Sequence, residues 1–133
     1  GRGQMLVLDD RVAARRKNYD FYVKELGDLP GFLFVSEPEG FFSNRWLSTV
    51  LIDEERAGIN TTQLREALEK ENIETRPLWK PMHLQPIFEN TPYYGGTVAE
   101  ELFNTGLCLP SGSNLTQEDL ERVVDTIKEN VNA

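Results

Sequence analysis

Between residues 5 and 26 the apolar side chains return at helical spacing. Met5, Leu8, Val12, Tyr19, Tyr22 and Leu26 fall on one face of a helix, with Gly27 as its stop and Pro30 reinforcing it. Residues 31–35 and 46–52 are rich in aromatic and β-branched side chains, and Glu37-Pro38-Glu39-Gly40 supplies turn chemistry between them. They predict two antiparallel strands. Asn60 is placed to cap a helix over 61–71, with Gln63 reaching back to the cap, Leu64, Ala67 and Leu68 facing inward, and Asn72 ending it. Residues 73–76 predict another strand, so 46–76 reads as strand, helix, strand with a right-handed crossover. Thr97-Val98-Ala99-Glu100 predicts a capping box for a short helix that ends at Gly106, and 107–109 a short buried strand. Thr116 opens the last helix with an acidic first turn. Leu115 and Leu120 staple its start, and Leu120, Val123, Val124, Ile127 and Val131 form its buried face. No internal repeat or domain boundary interrupts the pattern, which predicts one α+β unit: a short, largely antiparallel sheet covered by helices.

The composition changes this picture little. The 133 residues are 39% hydrophobic and 27% charged, as in soluble globular domains of one core. A net charge of -8 argues against nucleic acid or an anionic membrane surface as partner. The one dense basic cluster, Arg11, Arg15, Arg16 and Lys17, reads as a solvated helix face beside Asp9, Asp10 and Asp20. The single cysteine, Cys108, excludes an internal disulfide and is expected to be a buried thiol in an apolar run. No signal-peptide pattern is visible, and a reducing, cytoplasmic compartment is expected. Asn60 and Asn114 stand in Asn-x-Thr sequons that read better as helix starts than as glycan sites.

Chemistry is concentrated in one loop. Residues 76–86 carry Arg76, Trp79, Lys80 and the lone His83 among Pro77, Pro81 and Pro86, directly after a predicted strand. The two cations can meet a phosphate or carboxylate, and Trp79 offers a flat surface to a sugar or base. Equally, Trp79 and Met82 can fill a core gap while the cations pair with nearby glutamates and His83 serves the structure. Ser111-Gly112-Ser113-Asn114 is an anion-binding loop or an ordinary cap, Tyr93-Tyr94-Gly95-Gly96 a turn, and Asn44 and Arg45 face either a ligand or solvent. There is no Gly-rich phosphate loop, zinc spacing or nucleophile elbow, so no catalytic residue and no metal site is predicted.

Three stretches in order, Gly1-Arg-Gly-Gln4 through Arg16, Arg76 through Pro86, and Gly106 through Thr116, resemble the C-terminal part of the DegT/DnrJ/EryC1/StrS aminotransferases. The resemblance implies that residues 1–133 are the single C-terminal small domain of an enzyme with the aspartate-aminotransferase-like fold, its large cofactor-binding domain absent. It implies pyridoxal phosphate in the full-length protein, carried on a lysine that none of Lys17, Lys24, Lys70, Lys80 and Lys128 matches, so this segment alone is expected to be inactive. The implied reaction moves an amino group from L-glutamate to a nucleotide-linked keto sugar, most similar to UDP-4-keto-6-deoxy-N-acetylhexosamine, for glycan or exopolysaccharide synthesis, in a homodimer. The small domain then forms one wall of the cleft, with Trp79, Lys80 and His83 near the nucleotide sugar or cofactor and Arg76 lining or holding the loop. The rival is a free-standing, non-catalytic α+β module that binds a ligand or protein. The two differ in what they expose, because a domain cut from a larger protein leaves an apolar face along its first helix and near Trp79.

Overall fold

The computed structural model of the chain describes residues 1–131. Four strands, β1 (Phe32–Phe34), β2 (Ser48–Ile52), β3 (Arg76–Pro77) and β4 (Gly106–Leu109), form one sheet in the order β1-β2-β4-β3. Every adjacent pair is antiparallel, with Val50 opposite both Phe34 and Leu107 and Cys108 opposite both Thr49 and Arg76. The helices are α1 (Arg2–Met5), α2 (Leu8–Leu26), α3 (Glu54–Ala57), α4 (Thr61–Lys70), α5 (Val98–Thr105) and α6 (Gln117–Asn130). The predicted α+β class and antiparallel sheet are therefore observed. β2 and β3 both run against β4, so they are parallel to one another; the predicted strand-helix-strand unit is present, but β4 is inserted between its two strands.

The core lies between the sheet and helices α2, α4 and α6. Strand alternation sends Val50 and Ile52 of β2 into it; helical spacing brings Tyr22 and Leu26, Leu64 and Leu68, and Leu120, Val123, Val124 and Ile127 to meet them. Each of these large side chains contributes about 1.5–3 kcal/mol by leaving water. Cys108 is buried in β4, as the sequence predicts, and desolvation pushes its thiol up. Gly31 shows where only glycine fits: its φ is +79°, and a Cβ there would stand 2.6 Å from the Asp53 carbonyl oxygen.

Caps explain most helix boundaries. Asn60 accepts from the Gln63 amide at 3.0 Å while Gln63 Oε1 accepts from the Asn60 amide at 3.0 Å, as predicted. Thr116 and Asp119 make the same reciprocal box at the start of α6. α3, which the sequence reading passed over, is capped by Asp53 and closed by Gly58 at φ +70°; Asp53-Glu54-Glu55 followed by glycine was its visible signal.

Four expectations are corrected. The first long helix is divided into α1 and α2, and its stripe is buried only from Asn18 onward; Met5 and Leu8 remain 67% and 45% exposed, because the sheet and α6 reach only its C-terminal half. Residues 73–75, which lead into the edge strand, are not strand themselves: the Ile73 amide is spent on the Leu68 carbonyl at the end of α4, which shortens β3 to two residues. Thr97 makes no capping bond, since its hydroxyl turns to Glu101 and Glu100 is engaged by His83. Arg15 and Arg16 are not merely solvated. Arg16 donates to Glu37 Oε2 at 2.8 Å and to the Ser43 carbonyl, tying the loop between β1 and β2 onto α2.

Candidate functional site

A groove of about 510 Å³ opens where the start of β2, the length of β3 and the end of β4 converge. Its walls include Trp46, Thr75, Arg76, Trp79, Cys108 and Ser111. The rings of Trp46 and Trp79 meet with centroids 5.9 Å apart and planes tilted by 35°. Both are largely exposed, at 60% and 65%, so two large aromatic surfaces face solvent side by side. Such a wall receives flat or apolar ligand surface, and the guanidinium of Arg76 stands beside it.

The wall is built from behind. Arg15 Nη1 donates to the Trp46 carbonyl at 2.6 Å and to the Ser111 carbonyl at 3.0 Å, so one guanidinium fixes both sides of the groove. Asn44 Oδ1 accepts from the Trp46 amide at 3.0 Å. Arg45, with φ at +47°, lies 3.6 Å over the Tyr19 ring and donates to the Val35 carbonyl. Asn44 and Arg45 are thus spent locally. Glu37, held by Arg16 and by the Ser43 amide, has its carboxyl pulled below the usual range.

Trp79 and Arg76 are brought together on the groove, and Arg76 forms an ion pair with Glu74 at its rim. Lys80 is exposed; its carbonyl accepts from Gln85 Nε2 at 3.2 Å, and its ammonium has no ion-pair partner among the described residues. His83 points the other way. Its Nε2 lies 2.7 Å from Glu100 Oε1 on α5, its ring stacks on Tyr93 at 3.8 Å, and its side chain is only 16% exposed. The Ser111 loop serves the structure: Ser111 Oγ accepts from the Ser48 amide and donates to the Leu109 carbonyl. Trp46 and Arg15 were missed as site residues. Trp46 was legible only as a strand residue, and nothing local in the sequence pairs Arg15 with carbonyls 31 and 96 positions away.

Two buried hydroxyls, Ser48 Oγ and Thr75 Oγ1, have no hydrogen-bond partner among the described residues. Among those residues no group of three or more His, Cys, Asp or Glu side chains is arranged to hold a metal ion. No helix among them is long and apolar enough to cross a membrane.

The sequence profile of the DegT/DnrJ/EryC1/StrS aminotransferase family matches residues 1–128. EpsN of Bacillus subtilis (strain 168), named as a pyridoxal phosphate-dependent aminotransferase, is 43% identical over 131 residues, which is 96% of this chain and 33% of that protein. GDP-perosamine synthase of Caulobacter vibrioides is 31% identical over 129 residues, 93% of this chain and 33% of the synthase. The crystal structure of DesV from S. venezuelae, in complex with a ketimine intermediate, superimposes with a TM-score of 0.83 at 26% identity, covering 96% of this chain and 34% of that one. The chain spans about a third of the length of the curated relatives it matches.

Proposed function

The chain belongs to the DegT/DnrJ/EryC1/StrS aminotransferase family, and we propose that residues 1–133 form the C-terminal small domain of a cytoplasmic sugar aminotransferase. The full-length enzyme, acting as a homodimer, moves an amino group from L-glutamate to a nucleotide-linked keto sugar, with UDP-4-keto-6-deoxy-N-acetylhexosamine as the preferred acceptor for glycan or exopolysaccharide synthesis. The observation that carries this reading is the family match across nearly the whole chain, set against the one-third share of each relative that the chain covers. Exposure supports it. Met5, Leu6, Trp46, Trp79 and Met82 are each at least 60% exposed, an apolar display that a larger assembly covers.

Pyridoxal phosphate does not fit this segment by itself. Lys17, Lys24, Lys70, Lys80 and Lys128 are all exposed, and none lines the Trp46–Trp79 groove, so these residues build no Schiff-base pocket. When bound elsewhere in the enzyme, the cofactor supplies the electron sink for amino transfer. This segment supplies a wall. Trp46 and Trp79 give it a flat apolar surface and Arg76 gives it positive charge, while Lys80, exposed on the loop outside the groove, adds charge for the phosphates of a nucleotide sugar. His83, clamped to Glu100, holds the loop in place.

The test is turnover by the enzyme encoded by the whole parent gene. Incubation with L-glutamate and the UDP-linked 4-keto sugar is expected to release 2-oxoglutarate and an amino sugar in equal amounts. Absence of 2-oxoglutarate with every keto nucleotide sugar offered sinks the reading.

A further inference from the structure

The two ends of the exposed corner at Trp79 and Lys80 are pinned to different parts of the fold. At one end Trp79 leans on Trp46, with ring centroids 5.9 Å apart. At the other, His83 Nε2 reaches Glu100 Oε1 on α5 at 2.7 Å. The residues between behave as one block. Gln85 Nε2 donates to the Lys80 carbonyl at 3.2 Å, the Leu84 amide donates to the Pro81 carbonyl at 3.0 Å, and Pro77, Pro81 and Pro86 restrict the backbone. Tyr93 closes the far side by stacking on the His83 ring while its hydroxyl donates to the Gly96 carbonyl, just ahead of α5. At its start the block is tied to the sheet, where the Leu78 amide donates to the Gly106 carbonyl at 3.3 Å, so its far end depends on a separate anchor. The loop's only side-chain ion pair or hydrogen bond to α5, among the described residues, is the one between His83 and Glu100.

We propose that Glu100 is a positioning residue: through His83 it holds the 79–85 block so that Trp79 closes against Trp46 and the aromatic wall of the groove exists. The carboxylate accepts, so the His83 ring must carry its proton on Nε2. Glu100 does not itself line the groove. Its use for substrate rests on the proposed aminotransferase reading, but the geometry is measurable without substrate.

Two tryptophans at this separation give an exciton couplet in ultraviolet circular dichroism, which disappears when either ring moves away. The 133-residue chain is expected to show it, and Trp79→Phe to abolish it. Glu100→Ala is expected to lose the couplet while keeping cooperative melting, because Glu100 is a surface residue of α5 whose side chain is 37% exposed. Glu100→Gln retains an acceptor oxygen and is expected to restore the couplet. A couplet that survives in Glu100→Ala, or that is lost equally in Glu100→Gln, overturns the proposal. Nitrogen-15 spectra of His83 in the unaltered chain give a second reading that needs no variant: a protonated Nε2 supports the anchor, and a ring protonated only on Nδ1 overturns it. Either failure leaves the aminotransferase reading standing, since that depends on turnover by the longer protein.

Discussion

Tyr22 is fully buried, and its hydroxyl donates to the Pro110 carbonyl at 2.9 Å, joining α2 to the loop that leaves β4. Tyr22→Phe keeps the ring and removes the donor. The Pro110 carbonyl then loses its partner, and a cost of about 1–2 kcal/mol is expected at pH 7. The same burial gives an opposite effect in alkali. Desolvation, aided by the negative charge of Asp119, raises the phenol well above its ordinary value of about 10. The raised group contributes stability that is complete below the unfolded pKa and is lost as pH climbs from there toward the folded one. In that window the unfolded chain binds fewer protons than the native one, so stability falls by about 1.36 kcal/mol per pH unit, or roughly 2.7 kcal/mol by pH 12. The phenylalanine variant escapes this loss. Urea titrations of both proteins from pH 7 to pH 12 therefore should cross: the wild type starts about 1–2 kcal/mol ahead and finishes about 1 kcal/mol behind. Comparing the pair cancels every other titrating group. A stability difference that stays constant across that range refutes the buried-phenol argument.

Three further outcomes are expected. Gly106→Ala puts a Cβ 2.5 Å from the Leu102 carbonyl oxygen and 2.1 Å from Leu78 Cδ1, so a loss of about 1–3 kcal/mol is expected in thermal or urea unfolding; an unchanged midpoint shows that β4 can shift freely there. Asn60→Ala removes the cap of α4 and is expected to cost about 1 kcal/mol, whereas Asn60→Asp restores most of it, read by the same midpoints. Glu37→Gln addresses the ion pair with Arg16. The folded carboxyl is lowered, so its contribution is present above the unfolded value of about 4.3 and disappears as pH falls through the folded one. The gap between wild type and variant should thus be open at pH 7 and closed in strong acid; an equal gap at both rules out a charge effect.

Two of the three caps read from local sequence formed, and the third, at Thr97, was undone by the contact of Glu100 with His83. The Asn60–Gln63 and Thr116–Asp119 boxes lie within one helical turn, and they mark the starts of α4 and α6. The 3.6-residue spacing in α6 named its core residues, because burial on one face imposes that period wherever the helix packs. The proline-rich loop with Arg76, Trp79, Lys80 and His83 was likewise visible as a concentration of unusual chemistry. Only the tertiary structure decided what each of those side chains does. Trp79 meets Trp46 and His83 meets Glu100 through chain reversals that no local pattern encodes. Arg15 binds two carbonyls that lie 31 and 96 residues away, and β4 slips between strands that follow one another in the chain. Half of the first helix's apolar stripe stays uncovered for the same reason: periodicity says that a face is apolar, while what covers it is set by where the rest of the fold ends.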